Sequence, residues 1–275
     1  MRLFWLTLFA MMAFAANSVL TRYALAFDQI SPGGFVAVRL MSGAVTLALI
    51  VAVRPGKLAG QGSLVSAAAL LLYAGAFSYA YVSLDAGVGA LILFGGVQIT
   101  MFAGALWAGE RPKPSRWLGM VAGMAGLAVL FAPKGGAPDL FGAVLMAFSA
   151  LGWGVYSLRG KSVALPLQAT AVNFLIAAPF AVLLWLVFPA GPEFTTVGVA
   201  LAIASGALAS GVGYAVWYAV LPKLDASLAA IVQLTVPVIA LTGGILFLDE
   251  TATLTFVIAS ALILGGIAVA VLAKP

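Results

Sequence analysis

The stretch 84–130 occurs twice in this sequence, and its second copy begins at Leu224 and aligns without a gap. Each copy contains two apolar runs joined by a short polar connection with a glutamate, Glu110 in the first copy and Glu250 in the second. Among the identical positions, Leu84, Asp85, Ala86, Ala90, Gly104, Leu106, Glu110 and Gly126 correspond to Leu224, Asp225, Ala226, Ala230, Gly244, Leu246, Glu250 and Gly266. The repetition predicts two related halves, which we place at 1–137 and 138–275.

The composition indicates a polytopic membrane protein. Of 275 residues, 64% are hydrophobic and 8% are charged, with a mean hydropathy of +1.18, whereas a soluble domain carries roughly 25% charged residues. The chain has no cysteine and no histidine, which excludes disulfides, thiolate nucleophiles, imidazole acid–base chemistry and the commonest metal ligand. We therefore expect no cofactor, no metal and no enzymatic activity. The net charge of +5 is interpreted as loop orientation and not as nucleic-acid binding.

Runs long enough to cross a bilayer as helices number ten, so the predicted fold is all-α with ten transmembrane helices. They cover residues 3–24, 33–53, 64–83, 86–108, 117–131, 141–158, 167–188, 196–220, 227–248 and 253–272. The fifth run is short for a full crossing. The first run also has features of a cleavable signal peptide, with Arg2 before the apolar stretch and Ala13 and Ala15 at a cleavage-like site. Its counterpart later in the chain favours a retained first span.

The basic residues predict the orientation. With the N-terminus inside, ten of the thirteen lysines and arginines fall at cytoplasmic ends, as the positive-inside rule requires. These are Arg2, Arg54, Lys57, Arg111, Lys113, Arg116, Arg159, Lys161, Lys223 and Lys274. Arg22 and Lys134 lie outside, and Arg39 lies within a span. Both termini are thus predicted to be cytoplasmic.

Because each half has five spans, the second half enters the bilayer upside down relative to the first. Glu110 is then cytoplasmic and Glu250 external. The opening spans align as well, with Phe14 over Trp153 and Arg22 over Lys161. Inverted repeats of this kind are typical of secondary transporters, whose substrate binds near the midplane between the halves.

The chain resembles the drug/metabolite transporter superfamily, and within it the EamA-type exporters, in particular the bacterial inner-membrane exporters of aromatic amino acids. The resemblance is carried by the ten-span repeat, by Trp153, Gly154 and Lys161 in the opening span of the second half, and by Glu110 and Glu250 after the fourth span of each half. The first half departs from it, having Phe14 and Ala15 for Trp-Gly and Arg22 for the lysine. The resemblance implies a central cavity lined by the first and fourth spans of each repeat, with the second span peripheral.

Few polar side chains lie deep in the spans, and aromatic residues cluster in the third, sixth and eighth spans. From these two sets come the candidate substrate-binding residues: Asn17, Tyr79, Gln98, Trp153, Tyr156, Tyr214, Trp217 and Gln233. An amide at membrane depth either bonds a neighbouring helix or faces a wet cavity. Aromatic residues also form interfacial belts. Trp153 and Tyr156 share a helix face in mid-span, which favours a cavity lining. Rings with a few amides suit a neutral or zwitterionic solute with an apolar body.

Arg39 is the basic residue that the pattern places well inside a span. Bringing it to the bilayer centre costs about 2.5–3.5 kcal/mol on insertion scales. Two roles stay open, a contact to the substrate carboxylate and a structural clamp on carbonyl or acidic groups.

Two features predict flexibility in the fourth and ninth spans. Pro237 removes a backbone donor and obstructs the carbonyl of Gln233, so the helix should kink there. Gly95 and Gly96 lie at a matching level of the fourth span. We expect these residues to act as hinges.

The predicted function is secondary transport by alternating access, namely export of aromatic or other neutral amino acids and related small metabolites. The alternatives are export of another small-solute class and a passive channel. Asp85 and Asp225 could titrate at cavity mouths or serve as turn residues. Without a mid-membrane carboxylate or histidine, facilitated diffusion or exchange is favoured over proton antiport. The expected partners are a small-molecule substrate and the bilayer, and the expected state is a monomer.

Overall fold

The computed structural model describes residues 1–53, 61–130, 138–189, 191–192 and 194–272. Its helices are α1 Arg2–Ala26, α2 Pro32–Ala52, α3 Leu64–Ala80, α4 Ala86–Trp107, α5 Pro114–Leu130, α6 Leu140–Lys161, α7 Pro166–Val187, α8 Thr196–Ile203, a π-helix Ala204–Val212, α9 Gly213–Val220, a 3-10 turn Leu221–Lys223, α10 Ala226–Gln233, α11 Val236–Leu248 and α12 Leu254–Leu272. No strand occurs in the described ranges. The all-α prediction is confirmed.

Within the described residues, six helical segments are long and apolar enough to cross a membrane, and shorter apolar helices cover 64–80, 236–248 and 254–266. The predicted boundaries agree with the helices to within a few residues. Side-chain caps explain several starts, because they satisfy backbone N–H groups that have no partner within the helix. Ser31 accepts from Gly34 N at 3.2 Å, Asp139 from Gly142 N at 2.6 Å and Thr195 from Gly198 N at 2.9 Å.

The predicted kink in the ninth span is confirmed and takes the form of a break. Helix α10 ends at Gln233, and α11 begins at Val236 with Pro237 in its first turn. Pro237 has no N–H to donate, and its ring blocks the carbonyl four residues earlier. The fourth span behaves differently, since α4 continues unbroken through Gly95 and Gly96. A Cβ at Gly96 would lie 2.7 Å from the Cβ of Ala150, so this glycine permits close packing of α4 on α6.

The eighth span contains nine residues of π-helix between α8 and α9. The π-helix packs on α2 so closely that a Cβ at Gly206 would overlap the backbone carbonyl of Arg39. A π-helix is rare and is frequently found at functional sites. The sequence analysis did not predict it.

Of the five pairs of helices that occupy the same position in the two halves, three pack against each other and run antiparallel. In the pair α5 and α12, Gly126 packs on the carbonyl of Ala259, while Gly266 packs on the carbonyl of Gly119. Early residues of one helix thus contact late residues of the other. These two contacts are equivalent when the repeat copies are aligned.

Two further pairs follow the same rule. Helix α2 lies antiparallel to α7, and α4 lies antiparallel to α10 and α11. The contacts that establish the directions are Gly33 with Trp185, Gly43 with Phe174, Gly87 with Leu241, and Met101 with Gln233. Helices α1, α3, α6 and α9 surround the centre of the bundle, where α1 packs on α9 and α3 packs on α6.

Candidate functional site

Five aromatic side chains meet at the centre of the bundle, and we call them the ring cluster: Phe14, Tyr73, Trp153, Tyr214 and Trp217. Phe14 of α1 lies edge-on to Trp153 of α6 at 5.3 Å between ring centroids, to Tyr214 at 5.8 Å and to Trp217 at 5.7 Å. All five side chains are at most 5% exposed. In this conformation the cluster is closed, so a solute can enter only when the rings separate.

Trp153 joins the cluster to the break in the ninth span. Its ring lies 5.0 Å from that of Tyr73 and 4.8 Å from that of Tyr214. Its Nε1–H donates to Gln233 Oε1 at 2.7 Å, and Gln233 Nε2 donates to the carbonyl of Ala229 at 3.1 Å. A movement at the break therefore reaches the indole of Trp153 directly.

A chain of buried hydrogen bonds runs beside the rings. Ser205 Oγ donates to Asn17 Oδ1 at 2.6 Å, and Asn17 Nδ2 donates to the Tyr73 hydroxyl at 3.2 Å. Arg39 Nη2 donates to the same hydroxyl at 3.0 Å. The chain links the π-helix, α1, α3 and α2 through side chains that are all buried, and such networks fix the arrangement of the helices that carry them.

Arg39 lies within this network with 1% of its surface exposed. Its Nε donates to Ser210 Oγ at 3.1 Å and its Nη2 to the Tyr214 hydroxyl at 3.4 Å. Its Cζ lies 5.1 Å from the ring centroids of Tyr73 and Phe77. Nη1 has no hydrogen-bond partner, and no carboxylate of the described residues lies within ion-pair distance. Burying a charge that no opposite charge compensates costs about 5 kcal/mol or less after the protein relaxes.

The π-helix explains how two serines reach this network together. Ser205 and Ser210 are five residues apart, and an i→i+5 hydrogen-bond pattern brings such residues onto one face. In an α-helix of 3.6 residues per turn they would diverge. The sequence holds a signal that the analysis missed, since Ala-Ser-Gly occurs at 204–206 and again at 209–211. This spacing of five matches the π-helical period.

The structure brings most of the predicted site residues together. Asn17, Trp153, Tyr156, Tyr214, Trp217 and Gln233 lie in or directly beside the ring cluster. Tyr79 does not, because it is 44% exposed on the outer surface of the bundle near Gly33 and Trp185. Gln98 is buried, but its amide faces Gly123 of α5. Arg39 lies beside the rings although the second span was expected to be peripheral.

A polar cavity of about 140 Å³ lies at the end of the bundle that carries Glu110. Tyr156 and Tyr218 line it on the side of the ring cluster, and Arg159 donates to Ser66 at 3.0 Å and Ser63 at 3.1 Å. A larger cavity, of about 480 Å³, has an apolar lining from α1, α8 and α11 and opens at the surface beside Met12 and Phe247. The polar cavity is the one next to the rings.

The opposite end, which we call the Glu250 end, is closed by a charged group. Arg22 pairs with Asp85 at 3.3 Å and with Glu250 at 3.9 Å. It also donates to the carbonyls of Tyr81 and Val82. Glu250 Oε1 accepts from Ala86 N, the first residue of α4, at 2.7 Å, which places a carboxylate at a helix N-terminus. Burial raises the pKa of Glu250 above its usual value.

The Glu110 end carries the corresponding acidic residues. Arg116 of α5 pairs with Glu110 and with Asp225, each at 2.8 Å. The hydrogen bond from Arg116 holds the pKa of Asp225 below its usual value. Both acids are repeat counterparts of those at the other end. The side chain of Glu250 is 7% exposed and that of Glu110 is 26% exposed, so Glu250 is the more deeply buried of the two glutamates.

Comparison with known proteins identifies the family. The model of the EamA-like transporter family matches residues 1–132 and again residues 140–272. The chain is 48% identical over 265 residues to an uncharacterized protein of Pseudomonas aeruginosa, covering 96% of this chain and 92% of the relative. It is 28% identical over 254 residues to the uncharacterized transporter YoaV of Bacillus subtilis, covering 87% of each.

A more distant relative carries a functional name. The chain is 29% identical over 185 residues to the aromatic amino acid exporter YddG of Ancylobacter novellus, covering 63% of this chain and 62% of the relative. A crystal structure superposes with a TM-score of 0.72 at 21% identity over 96% of both chains, which supports the fold alone. The family match confirms the resemblance to the drug/metabolite transporter superfamily. Together with the apolar helices, it also indicates a multi-pass membrane protein. The chain belongs to the EamA-like transporter family.

Proposed function

We propose that this protein exports aromatic or other neutral amino acids across the bacterial inner membrane, by alternating access between two inverted repeats. The observation that carries the proposal is the ring cluster. It lies midway along the spans between two charged ends, and it is bordered by the amides of Asn17 and Gln233. Rings with a few convergent polar groups suit a solute that has an apolar body and a polar backbone.

Three observations support the inverted-repeat mechanism. Three of the five pairs of equivalent helices pack antiparallel. The family model matches once in each half. Equivalent acids also lie at opposite ends of the bundle, Asp85 with Glu250 and Asp225 with Glu110. Two halves of similar fold and opposite orientation give two states of similar energy, one open to each side.

The basic residues support placing the Glu110 end in the cytoplasm. Arg111, Lys113, Arg116, Arg159 and Lys161 all flank that end, and basic residues concentrate on the cytoplasmic side. Both termini are then cytoplasmic. The polar cavity beneath Tyr156 becomes the inner vestibule, and the Glu250 end becomes the outer gate.

The substrate class rests on the ring cluster and on the name of one relative, the aromatic amino acid exporter YddG. Counterflow of labelled phenylalanine in proteoliposomes tests it. Vesicles loaded with unlabelled phenylalanine should accumulate the labelled form transiently, because a carrier exchanges one molecule for another. A channel would equilibrate the label without an overshoot. Collapse of the proton gradient should leave the overshoot unchanged if transport is exchange, and should reduce it if protons are coupled.

The break in the ninth span predicts an effect of Pro237→Ala. Restoring the N–H and removing the ring should let α10 and α11 fuse, so that the bend at Gln233 is lost. We expect normal expression and a several-fold slower counterflow, measured as the initial rate in proteoliposomes.

Pro32→Ala is the matched control. Pro32 is the first residue of α2, where a missing N–H removes no helical hydrogen bond. Its counterflow rate should equal that of the wild type. A Pro237→Ala variant with an unchanged rate would exclude the hinge.

A further inference from the structure

Arg39 is a buried cation that the described protein leaves without an anion. Its hydrogen bonds go to neutral hydroxyls, namely those of Ser210, Tyr73 and Tyr214. Its Nη1 has no partner, and the side chain is almost fully buried. Buried charges in proteins are ordinarily paired or fully hydrogen-bonded. This one is neither.

The position of Arg39 connects it to the ring cluster. Two of its hydrogen-bond partners, Tyr73 and Tyr214, both pack on the ring of Trp153. An oxyanion bound at the guanidinium would therefore have its attached apolar group directed at Trp153, Phe14 and Trp217. Arginine is suited to this, because its planar fork of N–H groups binds a carboxylate through two parallel hydrogen bonds.

We propose that Arg39 binds the carboxylate of the transported solute once the ring cluster opens, so that the carrier selects solutes with an anionic group beside an apolar body. The inference rests on the proposed function and adds its recognition element. Nη1 offers an unused donor. Nη2 can release a tyrosine hydroxyl and donate to a carboxylate oxygen instead. A structural clamp accounts for the bonded Nε and Nη2 but not for Nη1. Selection then comes from the cost of leaving Arg39 unpaired when the solute has no anion.

The test compares competitors of labelled phenylalanine counterflow that differ in one group. Phenylalaninamide keeps the ring and the amine but has no carboxylate, and 3-phenylpropionate keeps the ring and the carboxylate. In the wild type we expect phenylalanine and 3-phenylpropionate to compete at least about tenfold more strongly than the amide. Arg39→Gln should bring all three to the level of the amide. Arg39→Lys should keep the charge and part of the preference, since it loses only the fork.

Arg2→Gln is the control, because Arg2 is exposed at the start of α1, and its competition profile should match the wild type. Two results would overturn the proposal and make Arg39 a clamp. In the first, Arg39→Gln weakens competition by all three compounds equally. In the second, Arg39→Gln lowers the melting temperature while the ratio of competition strengths stays as in the wild type. If the wild type shows no phenylalanine counterflow, the proposed function fails by itself. The role of Arg39 is then tested by adding 3-phenylpropionate to the purified protein. The compound should raise the melting temperature of the wild type and leave that of Arg39→Gln unchanged. No rise in the wild type overturns the proposal.

Discussion

Replacing Trp153 by alanine is expected to abolish phenylalanine counterflow and to lower the stability of the protein. The indole contacts Phe14, Tyr73 and Tyr214 and is 2% exposed. Truncating a buried tryptophan costs about 3–5 kcal/mol through lost contacts and the cavity that remains. It also leaves Gln233 Oε1 without its donor. The melting temperature of the purified protein and the counterflow overshoot measure the two effects.

Two variants separate the substrate contact from the loss of packing. Trp153→Phe keeps a ring and loses the N–H, which leaves buried Gln233 Oε1 unsatisfied. It should therefore cost about 1–3 kcal/mol while transport still falls several-fold. Trp107→Ala removes a tryptophan that is 95% exposed at the end of α4 and should change neither measurement. If Trp153→Phe transports at the wild-type rate, the indole N–H has no part in function.

Replacing Glu250 by alanine is expected to open the Glu250 end. The carboxylate accepts from Ala86 N and lies near Arg22, and a hydrogen bond to a charged group contributes about 1.5–3 kcal/mol. Its loss should shift the population toward the open state about tenfold or more, at 1.4 kcal/mol per tenfold. Because the chain has no cysteine, Ser18→Cys supplies a single thiol at a buried position near this end. Its rate of maleimide labelling in nanodiscs reports the opening.

Ser157→Cys supplies the matched reporter at the other end, since Ser157 is buried and is the repeat counterpart of Ser18. If the two ends open alternately, Glu250→Ala should speed labelling at position 18 and slow it at position 157. Faster labelling at both positions would indicate general loosening and contradict alternating access. Glu250→Gln should keep part of the closure, because the amide oxygen can still accept from Ala86 N while the attraction to Arg22 is lost.

The apolar runs, the proline and the mid-span aromatic residues were sufficient to predict the helices, the kink at Pro237 and three of the five residues of the ring cluster. These predictions succeeded because they depend on local chemistry, namely apolar length, the missing N–H of proline and aromatic residues at mid-span. The acids at 85, 110, 225 and 250 were visible as repeat counterparts. Their pairing with Arg22 and Arg116 was not, because an ion pair between distant segments depends on tertiary packing.

Two candidate residues lie on helix faces away from the ring cluster. Tyr73 and Tyr79 are six residues apart, so at 3.6 residues per turn they point in different directions. Tyr73 faces the centre and Tyr79 faces outward. Gln98 was assigned to the cavity on the basis of its depth, but its amide faces α5. The π-helix was not predicted for a similar reason. A period of 3.6 residues was expected for every helix, so the spacing of five between the two Ala-Ser-Gly segments was not recognised as a signal.

The unequal forms of the two core helices, α4 continuous and its counterpart interrupted before Pro237, affect the kinetics of any carrier built on this frame. The two end states are not mirror images, because bending a continuous helix and straightening an interrupted one need different amounts of work. We expect half-saturation concentrations that differ between the two membrane faces. A passive carrier must have the same ratio of maximal rate to half-saturation concentration in both directions. A lower half-saturation concentration on one face therefore comes with a lower maximal rate from that face, and net flow follows the solute gradient alone.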